Sequence, residues 1–337
     1  MKHYFFVNPA AGQGGGADAL IGEIESACAQ LGADFEIYIT GGVGDGERRA
    51  REIAEREAKM AQPKAPETEA AEGPSGTAGA AGETEAARFY ACGGDGTLNE
   101  ILCGAAGFDV PVGCVPTGTG NDMVRNFPDA GDFTDIKAQL RGEAKAIDLI
   151  WYAGVMDGVY RERYCANMFN IGFDCNVVEL AGRLKKKPLI AGSAAYLLAV
   201  LGVFLQKKTI GLRLEEEGRV LLDRDVLLCS VANGSFCGGG IHTSPQSDVS
   251  DGVFDLNIIN DVSRLEFLKL FPKYKAGTHL GVPGIEKVIQ VKTCRQLSLT
   301  PKEGSFFLCA DGEICVAQSV QFEIRPKALP FILPAKS

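Results

Sequence analysis

Three times in this 337-residue chain a short apolar run ends in glycines and small polar residues and then gives way to a helical pattern. No other feature constrains the fold as tightly. Residues 4–7 lead into Asn8-Pro-Ala-Ala-Gly-Gln-Gly-Gly-Gly-Ala17, residues 88–92 into Gly93-Gly-Asp-Gly-Thr97, and residues 112–115 into Pro116-Thr-Gly-Thr-Gly-Asn-Asp122. Helices are expected over 17–31 and 45–60, from Thr97 onward and near Asp122, with a further strand at 35–39. Strands alternating with helices in this way build a parallel sheet with crossover helices. Open sheets of that kind bind ligands at the carboxyl ends of their strands, so the glycine clusters line one edge. Glycine lets the backbone approach a polyanion closely, and free N–H groups at a helix start favour phosphate.

Beyond residue 145 the texture changes. Apolar-rich segments follow one another with short turns, from AIDLIWYA to SVQFEIR, and predict a mainly antiparallel second domain with helices only around Ala194 and Leu265. At roughly 150 residues per domain the chain makes about two: an α/β domain over 1–145, a mainly β domain over 146–325, and a tail, 326–337, free to return to the first. Residues 61–87 interrupt the first domain. They contain no Val, Ile, Leu, Met or aromatic residue, so burial cannot offset their ordering entropy and a flexible loop is expected.

The net charge is −9, and five Glu against one Lys in residues 61–87 supply −4 of it. An acidic balance argues against a nucleic-acid partner. None of the eleven cysteines forms a C-x-x-C pair, and His3, His242 and His279 are far apart. The cysteines therefore read as small core residues in a reducing cytosol rather than as zinc ligands. The amino terminus lacks an apolar run followed by a cleavage site. Residues 188–205 carry no charge but are short for a ~30 Å hydrocarbon core, so a buried helix is expected, with contact at a membrane surface still open.

Each motif has a plainer reading beside the chemical one. The first cluster contains a G-x-G-x-x-A spacing, but a dinucleotide fold needs an acid at the end of its second strand, where this chain reads Tyr38-Ile-Thr40-Gly-Gly42. A tight turn, or a phosphate-facing loop of another type, fits instead. No G-x-x-x-x-G-K-[ST] occurs. An aspartate amid phosphates is no phosphate ligand, so Asp95 is expected to recruit Mg²⁺ or to activate a hydroxyl. Asn121 and Asp122 also suit helix capping, and the Asp-Gly pairs at Asp157, Asp251 and Asp311 are hairpin-turn signals in their own right.

Together, GGDGTLNE, PTGTGND and the upstream NPAAGQGG resemble the soluble lipid kinases of the diacylglycerol kinase catalytic-domain family, and within it the bacterial BmrU/YegS-like group. NAD kinases and phosphofructokinases share loops like GGDGT; PTGTGND separates this family from them. In the second domain NIGFD, the run from Asn233 through Gly238-Gly-Gly240 and Pro245 to Asp255, and Asp311-Gly-Glu313 look like further family elements. The long 61–87 insertion, and Ser247 where many members have Ala, depart from the pattern without touching a chemical role.

The resemblance implies an NAD kinase/diacylglycerol kinase-like α/β domain, a β-sandwich C-terminal domain, and an active site in the cleft between them. It implies ATP-dependent phosphorylation of a lipid hydroxyl, foremost diacylglycerol to phosphatidic acid. NAD kinase-like or sphingoid-base kinase activity, and a catalytically silent nucleotide- or lipid-binding regulator, are the alternatives. Nucleotide-binding residues would be Asn8, Thr40, Gly93, Gly94, Asp95, Gly96, Thr97, Asn99, Glu100, Thr117, Gly118, Thr119, Asn121 and Asp122. Glu313 would be the general base, with Asp311 adjacent and Asp95 the competing candidate or organiser of a phosphate-bridging Mg²⁺. A structural Mg²⁺ would sit at Asp251 with backbone carbonyls near Asp248 and Val253. The implied partner is a lipid at the membrane surface, which expects a cytoplasmic protein peripheral at the inner face, with Lys185, Lys186 and Lys187 as contacts for anionic headgroups. A homodimer is compatible with the sequence.

Overall fold

The structure, a computed structural model, describes residues 1–12, 16–61, 87–172 and 209–336. Strands Lys2–Val7 (β1), Asp34–Ile39 (β2), Ala87–Gly93 (β3) and Val112–Pro116 (β4) pair parallel in the order β2-β1-β3-β4. Every residue of β3 is buried, because helices cover both faces of the sheet. Asp45–Ala61 (α2) and Asp95–Ala105 (α3) pack one face through Ile53, Ala54, Ile101 and Leu102. Ala17–Leu31 (α1) and Ile136–Leu140 (α4) pack the other through Ile24, Cys28, Ile136 and Leu140. The chain leaves β1 toward β2 and leaves β3 toward β4, so its direction reverses between β1 and β3. A crevice opens there, at the carboxyl ends of the strands.

The helix expected near Asp122 is a single 3₁₀ turn, Met123–Asn126. Pro128 accounts for the difference: it holds the preceding Phe127 outside the helical region, at φ −122° and ψ 65°. The helix expected from Thr97 starts two residues sooner, at Asp95.

The rest of the chain is mainly antiparallel. It comprises Glu143–Met156 (β5), Val159–Cys165 (β6), Met168–Gly172 (β7), Ile210–Glu216 (β8), Arg219–Val226 (β9) and Leu228–Ala232 (β10), followed by Phe254–Ile259 (β11), Ile289–Cys294 (β12), Gln296–Pro301 (β13), Phe306–Ala310 (β14) and Glu313–Leu333 (β15). These strands enclose a second core that includes Tyr152, Phe169, Leu214, Val231, Leu256 and Phe322. Helix Arg264–Lys275 (α5) forms a smaller, separate cluster at the ends of β10 and β11, laying Phe267, Leu270 and Phe271 on Leu228 and Ile259. Residues 62–86 of the insertion, the helix expected around Ala194 and the uncharged stretch 188–205 lie outside the described residues. Among the described residues no helix is long and apolar enough to cross a membrane.

One strand joins the two cores. β15 pairs antiparallel with β5 from Ala317–Met156 to Leu333–Glu143, and at Phe331 it also pairs parallel with Val112 of β4. Its register shifts between Arg325 and Leu329, where Lys327 takes a left-handed φ of 53°. Asp148 of β5 holds that irregularity. Its fully buried carboxylate accepts the N–H groups of Lys327 at 2.7 Å and Gly252 at 2.6 Å, charge-assisted bonds that make a buried carboxylate tolerable.

Phe331 is 1% exposed and stacks on Phe127 with ring centroids 5.3 Å apart. Phe331→Ala is expected to lower the unfolding free energy by about 3–5 kcal/mol. The measurement is a urea titration, in which the midpoint should fall with little change in slope.

Candidate active site

Backbone hydrogen bonds extend the parallel ladder past the strand ends and set the loops in register. Asn8 N–H donates to the Cys92 carbonyl at 3.0 Å, Thr40 N–H to Val7 at 2.9 Å and Thr117 N–H to Gly93 at 2.9 Å. Asn8 Nδ2 then donates to Thr97 Oγ1 at 2.9 Å, tying the end of β1 to the first turn of α3 across the crevice. The glycines are needed for contact between loops. A Cβ on Gly12, which has φ 73°, would lie 2.9 Å from the Thr117 carbonyl oxygen, and one on Gly118 would collide with Gly94 Cα.

Asp95 clamps two of these loops together. Its carboxylate accepts the N–H groups of Asn121 and Asp122, both at 2.8 Å, and a Cβ on Gly120 would run into Oδ2. Burial pushes the Asp95 carboxyl above its ordinary range, against the lowering effect of these bonds. Asn121 has φ 54° and donates from Nδ2 to the Gly118 carbonyl at 2.9 Å, while its Oδ1 is buried without a partner. Asp122 reaches into the second half of the molecule. It accepts from Gly239 N–H at 3.0 Å and from Gly240 N–H at 2.7 Å, and burial followed by the charge of Asp95 raises its carboxyl. Asn126 Oδ1 accepts Ser235 N–H at 2.8 Å, a second bond from the same loop.

The opposing wall comes from the β14–β15 hairpin. Asp311 and Gly312 have φ 43° and 89° and form its two-residue turn, with left-handed values at both positions as a tight hairpin demands. The turn reading and the chemical reading therefore meet in one residue. The Asp311 carboxylate points back into the protein and accepts the N–H groups of Ala166, Asn167 and Met168 at 3.2, 3.3 and 2.8 Å. Burial pushes its carboxyl up to about 6, with the charge of Asp95 adding to the effect. Two residues on, Glu313 Oε1 lies 3.5 Å from the Cβ position of Gly96, over the start of α3. Its other oxygen accepts from Arg163 Nη1 at 3.0 Å, and Arg163 Nη2 donates to Glu47 of α2 at 2.8 Å.

The remaining expected residues are placed as follows. Thr40 is buried at the end of β2, and Thr117 and Thr119 flank Gly118, with the Thr119 carbonyl against Gly239. Asn99 is wholly buried within α3. Both carboxylate oxygens of Glu100 are engaged at the start of α2, accepting Gly44 N–H at 2.7 Å and Gly46 N–H at 3.0 Å. Asp248 is exposed and accepts both the N–H and the hydroxyl of Ser250, while Asp251 accepts Val253 N–H at 3.1 Å. Burial and the charges of Asp248, Asp255 and Asp148 raise the Asp251 carboxyl. Among the described residues no three His, Cys, Asp or Glu side chains converge to cage a metal. Asp251 would thus need main-chain oxygens to complete a cation site. In the crevice, the carboxylates that would face a cation arriving on a nucleotide are Asp95, whose two oxygens also accept N–H groups, and Glu313, whose Oε1 is not engaged by Arg163; Mg²⁺ commonly takes one or two carboxylates and fills its other positions with phosphate and water.

Arg163, Glu47, Asn126 and Asp148 were not legible as site residues. Arg163 sits in the polar alternation YRERYC of β6, which reads as an exposed strand face until the fold brings it against α2.

A glycine-lined crevice at the switch point of a parallel sheet, closed by carboxylates from a second β domain, defines a two-domain phosphotransferase architecture. The family described as "Diacylglycerol kinase catalytic domain" matches residues 2–152, and "YegS C-terminal NAD kinase beta sandwich-like domain" matches 167–333. The chain belongs to this family and is a lipid kinase by class. It is 28% identical over 244 residues to a diacylglycerol kinase of Mycobacterium tuberculosis, covering 72% of this chain and 75% of that one. It is 29% identical over 255 residues to the probable lipid kinase YegS of Escherichia coli, covering 74% and 78%. A crystal structure of a putative diacylglycerol kinase from Bacillus anthracis superposes with a TM-score of 0.70 at 19% identity, over 98% of this chain and 96% of that one. The expected fold class, a parallel α/β domain followed by a β-sandwich, is borne out.

Asp122→Ala removes the carboxylate that joins the loop at 116–122 to residues 239 and 240. The loss is expected to be about 1.5–3 kcal/mol of unfolding free energy, the range for hydrogen bonds to a charged group, read by urea denaturation.

Proposed function

We propose that the protein transfers the γ-phosphoryl group of ATP to a lipid hydroxyl at the inner face of the membrane, with diacylglycerol as acceptor and phosphatidic acid as product. The observation that carries this reading is the position of Glu313, a carboxylate from the second domain set over the first turn of α3. Helix starts favour phosphate, so an acceptor hydroxyl approaching a terminal phosphate there would meet a proton acceptor. The names of the relatives support diacylglycerol as the acceptor.

Phosphoryl transfer asks a protein mainly for positioning and charge neutralisation. In this reading the loops at 8–12, 93–97 and 117–121 bind the nucleotide, and Mg²⁺ offsets the phosphate charge. Asp95 keeps the second and third loops in register. Glu313 takes the hydroxyl proton as the bond to phosphorus forms, because a hydroxyl far above neutrality in pKa can be deprotonated only during transfer. Asp311 positions it: anchored by three N–H groups, it fixes the turn from which Glu313 projects.

Glu313→Gln is expected to lower kcat by about 10²–10⁴-fold with ATP affinity nearly unchanged, assayed by product mass with diacylglycerol in mixed micelles. Wild-type turnover in that variant would remove Glu313 as the base.

The pH dependence follows from Asp311. Burial favours its protonated form, so lowering the pH through about 6 protonates it in the folded protein, and the three N–H groups then lose their anionic acceptor. The kcat/KM profile should show an acid limb near that value, and Asp311→Asn should be slow at neutral pH and lack the limb. An unshifted limb in Asp311→Asn would assign it to another group.

A further inference from the structure

The outward face of α5 is built unlike the rest of this acidic protein. Leu265 and Leu268 are 72% and 52% exposed, one helical turn apart, on a helix whose inner face already buries Phe267, Leu270 and Phe271. At 100° per residue, Leu265, Leu268 and Pro272 form one stripe. Lys269 and Lys273 flank it on one side and Lys275 on the other, and all three lysines are exposed. Glu266 stands at the border of this face, and Asp261 and Glu286 are exposed on neighbouring turns. The stripe and its flanks carry three cations against one anion, Glu266, in a chain of net charge −9.

The helix is connected to the crevice by a short path. Its last residue, Lys275, accepts His242 N–H through its carbonyl at 3.1 Å, and the His242 ring fills the space beside Gly277. Two residues before His242 in the chain, Gly240 donates its N–H to Asp122 at the crevice wall. The exposed face therefore belongs to the same structural unit as the second wall of the site.

We propose that this face of α5 is a docking surface for an anionic lipid bilayer, with Leu265 and Leu268 entering the acyl boundary while Lys269, Lys273 and Lys275 meet the headgroups. Apolar residues between snorkelling lysines are the pattern of a helix lying in a membrane interface. Charge complementarity selects the occupant, because each lysine near an anionic leaflet adds attraction that falls off within a Debye length. The proposal rests on the lipid kinase reading and supplies what it needs, a way to hold the crevice near an acceptor that stays in the bilayer.

The test is sedimentation of the full chain with vesicles of phosphatidylcholine alone or mixed in equal parts with phosphatidylglycerol. Wild type should bind the anionic vesicles and be released by salt. Lys269→Glu combined with Lys273→Glu, and separately Leu265→Ser combined with Leu268→Ser, should each reduce binding at least about tenfold. Turnover of long-chain diacylglycerol in those vesicles should fall in parallel, while turnover of a short-chain diacylglycerol in detergent micelles stays at the wild-type level. Thermal melting separates misfolding from lost docking. Wild-type binding by both folded variants overturns the proposal, as does a concentration-dependent dimer that the leucine variant abolishes, since the face would then meet a second copy. If no form of the protein phosphorylates diacylglycerol in micelles, the kinase reading fails, and vesicle binding still decides the docking surface.

Discussion

The ladder between β5 and β15 is the constraint on which the rest of the structure depends. Glu313 is the first residue of β15, and Phe331, near its end, pairs with β4 while packing on Phe127. One strand thus carries a carboxylate for one wall of the crevice and enters the sheet that builds the other wall. Twenty-one residues at about 3.3 Å each would reach roughly 70 Å if straight, too long for one domain. Register shifts between Ala317 and Val320 and between Arg325 and Leu329 bend the strand, as such irregularities do elsewhere. Asp148 fixes the second bend through Lys327 N–H. The two halves are joined by a paired strand and not by a loose linker, so a change in the ladder is felt at Glu313.

A second device recurs in both halves, and at Asp122 it crosses between them. Asp95, Asp122, Asp148 and Asp311 each spend their carboxylate on backbone N–H groups of another segment. A buried anion is costly unless such donors surround it, and the donors here come from loops, from the first residue of β7 at Met168 and from the bend of β15 at Lys327. Burial raises the carboxyls of Asp95, Asp122 and Asp311, and Asp95 contributes to the shift of the other two. These acidic side chains therefore repel one another around the crevice. A cation entering with a nucleotide would relieve that repulsion, which makes binding of the two favourable together.

The fold was legible because its signals are local. Apolar runs that end in glycine announce a parallel strand and the start of its crossover, and Asp-Gly at 311–312 announces a hairpin from turn chemistry alone. The helix expected near Asp122 shows where local signals stop: an Asn-Asp pair reads as a cap, but Pro128 ends the turn and Asp122 bonds to residues 239 and 240 instead. Glu100 is a comparable case. It follows GGDGT by three positions and reads as part of the phosphate loop, yet its carboxylate caps α2. Nothing in a single sequence pairs Glu100 with Gly44, or Asp122 with Gly240, because those partners are set by how α2 packs on α3 and by the ladder that joins the halves.

Arg163 is the residue in which these constraints converge. It is held on β6 by pairing with β5, which places Tyr152 opposite it, and it reaches Glu47 in one half and Glu313 in the other. Guanidinium keeps its charge at any pH relevant to a protein, so it orients Glu313 without exchanging protons with it. Shared with Glu47, the guanidinium still fixes one Glu313 oxygen. The other oxygen is left over Gly96. The same bidentate side chain that ties α2 to the second domain thereby sets which face of Glu313 meets the start of α3. Interdomain alignment and the geometry of the proposed base become one structural variable.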